Sequence, residues 1–306
     1  RTALQAREGM IGECVAKSQG NPLFLVQMLS HASDADGLVP SSIQSLIQAR
    51  FDRLSSVDKK ILHAAAVLGQ RCTAVVTATG TSTRIAGIAV YDETRLVEAA
   101  LIKPIDEGYL FAHALIRDGI LKTLLRKDRR ALHVAAAEWF AGRDLVLHAQ
   151  HLARADDPEA AKAFLAAARE ARDAFRKEDA LEFAESGLAC APDLRTKGAL
   201  LRVKGDVLRE MGRSEDSIAS FMAAEECARE PKDLCRAQIG IVAAMRILDR
   251  IDDAYLVLDR AQRIAEQAGL LQELSHVHYL RGSLHFPRGD LDGCREEHAK
   301  SLDYAQ

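Results

Sequence analysis

Four clusters of small residues, spaced at nearly one period, restrict this chain more than any other feature of its sequence. Gly205 is followed twelve residues later by Ser217, then by Phe221 and Ala224. The same steps lead from Ala168 to Ala180, Ala184 and Gly187, from Val242 to Ala254, Leu258 and Ala261, and from Gly282 to Cys294, His298 and Ser301. The four leading positions lie 37, 37 and 40 residues apart. Two helices of a hairpin approach closely only where small side chains face each other, with a larger one filling the gap beside them. Gly212 and Gly289, each seven residues past its leading position, stand where a helix must end in a left-handed turn. The pattern therefore predicts four stacked helical hairpins. Each would be a tetratricopeptide-type unit somewhat longer than the usual ~34 residues.

In such a stack the first helix of each hairpin lines the concave side. Residues three before, one after and four after each leading position share one face of that helix. These are Arg202, Asp206 and Arg209, then Ile239, Ala243 and Arg246, then Tyr279, Ser283 and Phe286. Arg202, Arg209 and Arg246 would supply the charge of a binding surface, and Tyr279 with Phe286 its apolar anchor. The expected partner is a protein or peptide with acidic and apolar segments. Pro287 removes a backbone donor and predicts a break at the end of its helix.

The segment before the array has a different texture. Helical periods run from Ile43 to Leu54 and from Val57 to Leu68, the second capped by Ser55 or Ser56. Residues 72–90, rich in Thr, Val, Gly and Ala, are the least helical stretch. A short helix over Leu96–Leu101 precedes a hairpin, Ile102–Pro104 with Tyr109–Phe111, before helices return at His113–Leu125 and Arg129–Phe140. Three helices and a two-stranded wing predict a winged-helix domain. The chain is thus expected to be predominantly all-α, with a small winged-helix domain at 38–142 and an α-solenoid at 143–306.

The strings Gly20-Asn21-Pro22-Leu23-Phe24-Leu25, Ile47-Gln48-Ala49-Arg50-Phe51-Asp52-Arg53-Leu54 and Ala64-Ala65-Ala66-Val67-Leu68-Gly69 carry a resemblance. It continues through Phe111-Ala112-His113-Ala114-Leu115-Ile116-Arg117-Asp118 and Arg129-Arg130-Ala131-Leu132-His133. Together they resemble the lid and winged-helix portion of STAND-type signalling ATPases, which tetratricopeptide repeats follow. The version here looks most like bacterial proteins linked to class III adenylate or guanylate cyclases, with LuxR-type transcription regulators as the alternative and a stand-alone repeat adaptor as a further one. The resemblance implies that residues 1–37 are the lid remnant of an ATPase domain. It further implies that Gly20 and Pro22 lie against a nucleotide base and that His113 reaches the phosphates. ATP or ADP would then be bound by the parent protein.

Several function classes find no support in the residues. The sequence holds no Gly-x4-Gly-Lys-[Ser/Thr] phosphate cradle, no Gly-x-Ser-x-Gly and no Gly-x-Gly-x-x-Gly, so the chain itself is expected to be no enzyme and to carry no cofactor. Its net charge of −3 recommends neither nucleic acid nor a membrane as partner. Six scattered cysteines read as reduced thiols of a cytoplasmic protein. His148 with His151, and the set His276, His278 and His285, are read as surface histidines rather than metal ligands.

Overall fold

The structure, a computed structural model, describes residues 11–12, 15–16, 25, 43–73, 91–105 and 108–305, without the side chains of 43–46, 71–73 and 108. Gly20 and Pro22 lie outside the described residues. The chain divides into two compact units, Arg1–Trp139 and Phe140–Gln306.

In the first unit, α1 (Ile43–Asp52) and α2 (Ser56–Leu68) precede a short strand β1 (Arg71–Thr73). Then follow α3 (Thr94–Glu98), β2 (Ile102–Ile105), β3 (Gly108–Phe111), α4 (Ala114–Thr123) and α5 (Arg126–Phe140). Of the two candidate caps, Ser55 is the one used. Its side chain accepts from the Asp58 N–H, and Asp58 reaches back to the Ser55 backbone in a reciprocal capping box. Tyr91 donates its hydroxyl to the same carboxylate at 2.6 Å, tying the segment before α3 to the start of α2. The expected hairpin is one side of a three-stranded antiparallel sheet in the order β1-β3-β2, with Arg71 opposite Leu110 and Ile102 opposite Phe111. Pro104, which has no N–H for a ladder, sits on the edge strand β2. Phe51, Leu62, Leu96, Leu101, Phe111 and Ile120 form the core beneath the helices.

The second unit begins with α6 (Leu145–Arg154) and continues as four helical hairpins. They are α7 (Ala160–Asp173) with α8 (Lys177–Ala189), α9 (Leu194–Glu210) with α10 (Ser214–Cys227), α11 (Pro231–Ile247) with α12 (Ile251–Gln267), and α13 (Leu271–His285) with α14 (Leu291–Ala305). Among the described residues no helix is long and apolar enough to cross a membrane.

Each small-residue cluster lies where its hairpin closes. Ala168, Ala180 and Ala184 are fully buried in the first hairpin, as are Val242, Ala254, Leu258 and Ala261 in the third. In the second, Ser217 donates its buried hydroxyl to the Gly205 carbonyl at 2.7 Å, fastening α10 to α9. In the fourth, the bare surface of Gly282 receives the imidazole of His298.

The hairpin turns share a finer rule. Seven residues beyond each leading position the backbone is left-handed, at Phe175 (φ 59°), Gly212 (φ 78°), Asp249 (φ 57°) and Gly289 (φ 74°). Glycine accepts this region without strain, whereas Phe175 and Asp249 hold it at about 1 kcal/mol or more apiece. The turn geometry is therefore common to all four hairpins, although only two of them spell it with glycine. At Pro287 the helix gives way to a short 3-10 turn, Phe286–Arg288, as the missing donor requires.

Candidate partner-binding groove

Successive first helices pack side by side, α7 on α9, α9 on α11 and α11 on α13. Two cavities of about 470 and 510 Å³ open along their shared face. Both are lined by Arg169, Ala199, Arg202 and Arg236, so they form one continuous groove. Ile239, Gly240 and Ala243 are among the apolar lining of the first cavity, and Leu165 belongs to that of the second.

Of the residues expected on the binding face, Arg202, Asp206, Arg209, Ile239 and Ala243 line this groove. Arg246, Tyr279 and Phe286 do not, although all three are exposed. Arg246 lies at the end of α11, and Phe286 begins the turn after α13. Tyr279 stacks on His298 at a ring separation of 5.5 Å. Arg202 departs from expectation in another way: its side chain is only 17% exposed, held by Asp233 of α11 at 3.0 Å. Burial pushes the Arg202 guanidinium below its ordinary pKa. Asp233 opposes that shift, and the neighbouring Arg236 and Arg169 charges add to it.

The arginines also form a ladder between first helices. Arg172 of α7 reaches Asp206 of α9 at 3.2 Å, Arg202 of α9 reaches Asp233 of α11, and Arg236 of α11 reaches the buried Glu273 of α13 at 2.8 Å. Arg209 shares Asp206 at 3.3 Å. The groove is thus pre-ordered by ion pairs that cross from hairpin to hairpin.

Sequence reasoning missed Leu165, Arg169 and Arg172, although they stand at the same offsets from Ala168 as Arg202, Asp206 and Arg209 do from Gly205. It also missed the position six residues before each leading one, which is Lys162, Ala199, Arg236 and His276. All four line the groove. Offsets of −6, −3, +1 and +4 are successive helical steps of three, four and three residues, so the full stripe was present in the period.

His113, the residue assigned to the nucleotide, caps α4. Its Nδ1 accepts from the Leu115 backbone N–H at 3.2 Å, which leaves Nε2 as the proton-bearing nitrogen of the neutral ring. Two of the supposed surface histidines are interior. His151 stacks on Phe140 at 5.5 Å, and burial lowers its pKa to about 4. His278 pairs with Glu297 at 2.7 Å. Among the described residues no group of three or more His, Cys, Asp or Glu could hold a metal ion.

No family model matches the chain, and no curated protein matches its sequence. Among solved structures it is similar to a signal-transduction ATPase with numerous domains (STAND) from Pyrococcus horikoshii that carries a tetratricopeptide-repeat sensor. The TM-score is 0.58 at 12% identity, over 95% of this chain and 44% of that one. A weaker likeness, with TM-score 0.49 at 15% identity over 97% of this chain and 74% of the other, is to aspartyl phosphate phosphatase F from Bacillus subtilis. The first likeness shows the fold, a predominantly helical chain ending in a tetratricopeptide-type repeat array. This chain spans less than half the length of that STAND protein.

Proposed function

We propose that the chain is the regulatory, partner-binding arm of a larger ATP-dependent signalling protein, in which the first-helix groove of the repeats receives a protein segment. The observation that carries this reading is the groove itself, an open, pre-ordered channel lined by the first helices of all four hairpins. Its lining repeats with the period of the array. A surface kept only for stability has no need of such a channel, whereas an extended peptide needs its length.

In the same proposal the first unit is a winged-helix module. Among the described residues, its order of two helices, strand, helix, strand, strand and the β1-β3-β2 sheet support that assignment. Binding in the groove biases how this module packs on an upstream nucleotide domain, so partner affinity and nucleotide exchange are thermodynamically linked. His113, with Nδ1 committed to the cap, would offer Nε2–H to a phosphate oxygen. A nucleotide cyclase is the output domain that the motif resemblance favours, and the chain itself catalyses nothing.

The test is kinetic. A partner captured from the native cell extract by the full chain is measured against the unaltered protein, Arg172→Glu/Arg209→Glu and Leu165→Ala/Ile239→Ala, all four positions lining the groove. The charge reversals are expected to slow association with an acidic partner and to flatten its salt dependence. The apolar truncations are expected to speed dissociation, at about 1–3 kcal/mol each. Identical association and dissociation rates for all three proteins would show that this face is not the site.

A further inference from the structure

The groove carries far more positive charge than the chain around it. Eight Lys and Arg side chains line the two cavities against three Asp and Glu, whereas the whole chain has a net charge of −3. The excess is concentrated where the cavities meet, at Arg169 of α7, Arg202 of α9 and Arg236 of α11. These three guanidinium groups come from three successive hairpins. Two are oriented from behind by acids. Arg202 gives Nη2 to Asp233, and Arg236 gives Nε to Glu273 and Nη2 to Gln272. Arg169 is exposed and has no ion-pair partner among the described residues. Burial disfavours the ionised form of Arg202, Asp233 opposes that effect, and the neighbouring Arg236 and Arg169 charges add to it. Such a cluster is relieved by an anion.

We propose that the junction of the two cavities, at Arg169, Arg202 and Arg236, is a subsite for a phosphoryl group carried on a side chain of the bound protein segment. The inference rests on the reading of the groove as the partner site and adds the chemistry of what it takes. A carboxylate has two oxygens and is satisfied by a single guanidinium fork. Here Arg169 is uncommitted among the described residues, and Arg202 and Arg236 keep N–H groups beyond those given to their acids. Three such guanidinium groups from three helices at one junction suit a group with three acceptor oxygens and about two negative charges, which is a phosphate monoester. The position of the subsite argues for a peptide over a small phosphate ester. Cavity continues on both sides of it, floored by Ile239 and Ala243 in one direction and by Leu165 in the other. A chain with its modified residue at the centre fills both directions.

The experiment uses the full chain and three short degenerate peptide libraries with a fixed central phosphoserine, glutamate or serine, their affinities read by fluorescence anisotropy at one fixed salt concentration. Free pyrophosphate serves as a separate probe. The phosphoserine library is expected to bind at least about tenfold tighter than the other two. Arg169→Ala, an exposed change checked for folding by circular dichroism, is expected to erase that margin, so that the phosphoserine library binds no tighter than the glutamate one. Phosphoserine binding no tighter than glutamate would overturn the phosphoryl assignment. The groove reading would still stand if glutamate outbound serine. Pyrophosphate binding that depends on Arg169, with no library bound, would overturn the peptide source and the protein-segment reading together. No binding by any probe would also overturn both.

Discussion

Replacing Phe221 with Ala is expected to cost the repeat array about 3–5 kcal/mol. The ring is 2% exposed and wedged between two glycines from different hairpins. A Cβ on Gly205 of α9 would lie 2.8 Å from it, and one on Gly240 of α11 would come closer still. Phe221 therefore closes its own hairpin and also seals it to the next, and its loss leaves a cavity on both sides. The reverse experiment is overpacking. Gly240→Leu drives a side chain into that ring, with α9 behind it, and is expected to cost about 3 kcal/mol, the upper part of the usual overpacking range. Met222→Ala, one residue away but 54% exposed, should stay within about 0.5 kcal/mol. Urea midpoints at constant m-value provide the comparison. A Gly240→Leu protein as stable as the Met222→Ala one would contradict the packing described here.

The second large effect is expected in the last hairpin. His278 of α13 donates from Nδ1 to Glu297 of α14 at 2.7 Å, with side-chain exposures of only 8% and 11%. Tyr304 stacks on the imidazole at 5.3 Å, and Lys300 adds a bond to the same carboxyl at 2.9 Å. His278→Ala leaves the carboxylate buried without its main partner and should cost about 3 kcal/mol. Burial alone would raise the Glu297 pKa, but hydrogen bonds from His278 and Lys300 outweigh it and hold the carboxyl below its ordinary value of 4.5. A carboxyl with a depressed folded pKa contributes stability in full above its unfolded value and loses it as pH falls through the folded one. The hairpin should accordingly weaken on acidification below about pH 4.5, and Glu297→Gln should flatten that limb of the stability curve. Hydrogen exchange in α13 and α14 across this range reads the effect locally. An unchanged acid limb in Glu297→Gln would show that the pair contributes nothing of this kind.

How far these features were legible in the sequence depends on what fixes them. The hairpins were legible because close helix approach admits few residue types, and Ala168, Gly205 and Gly282 with their partners recur at fixed steps. The turn after each first helix was half legible. Gly212 and Gly289 announce it, whereas Phe175 and Asp249 adopt the same φ under tertiary constraint. Contacts between hairpins were not legible, since Gly240 meets Phe221 across an interface that no spacing within one repeat records. The same reason hid the ladder from Arg172 to Asp206 and from Arg236 to Glu273. His151 and His278 passed for surface residues because a polar type on a helix gives no sign of the ring or carboxylate that will cover it. Strand β1 is three residues long, too short to show an alternation, and its pairing with β3 spans the whole of α3 and β2.

The groove is the central claim, and site-specific photocross-linking tests it most directly. A photoreactive residue is placed at Arg169 or Ala243 inside the groove, and at the exposed Met222 or Leu256 on second helices. With the partner captured from the native extract, cross-links are expected from Arg169 and Ala243 and not from Met222 or Leu256. Cross-links from the second-helix positions, with none from the groove, would contradict the account.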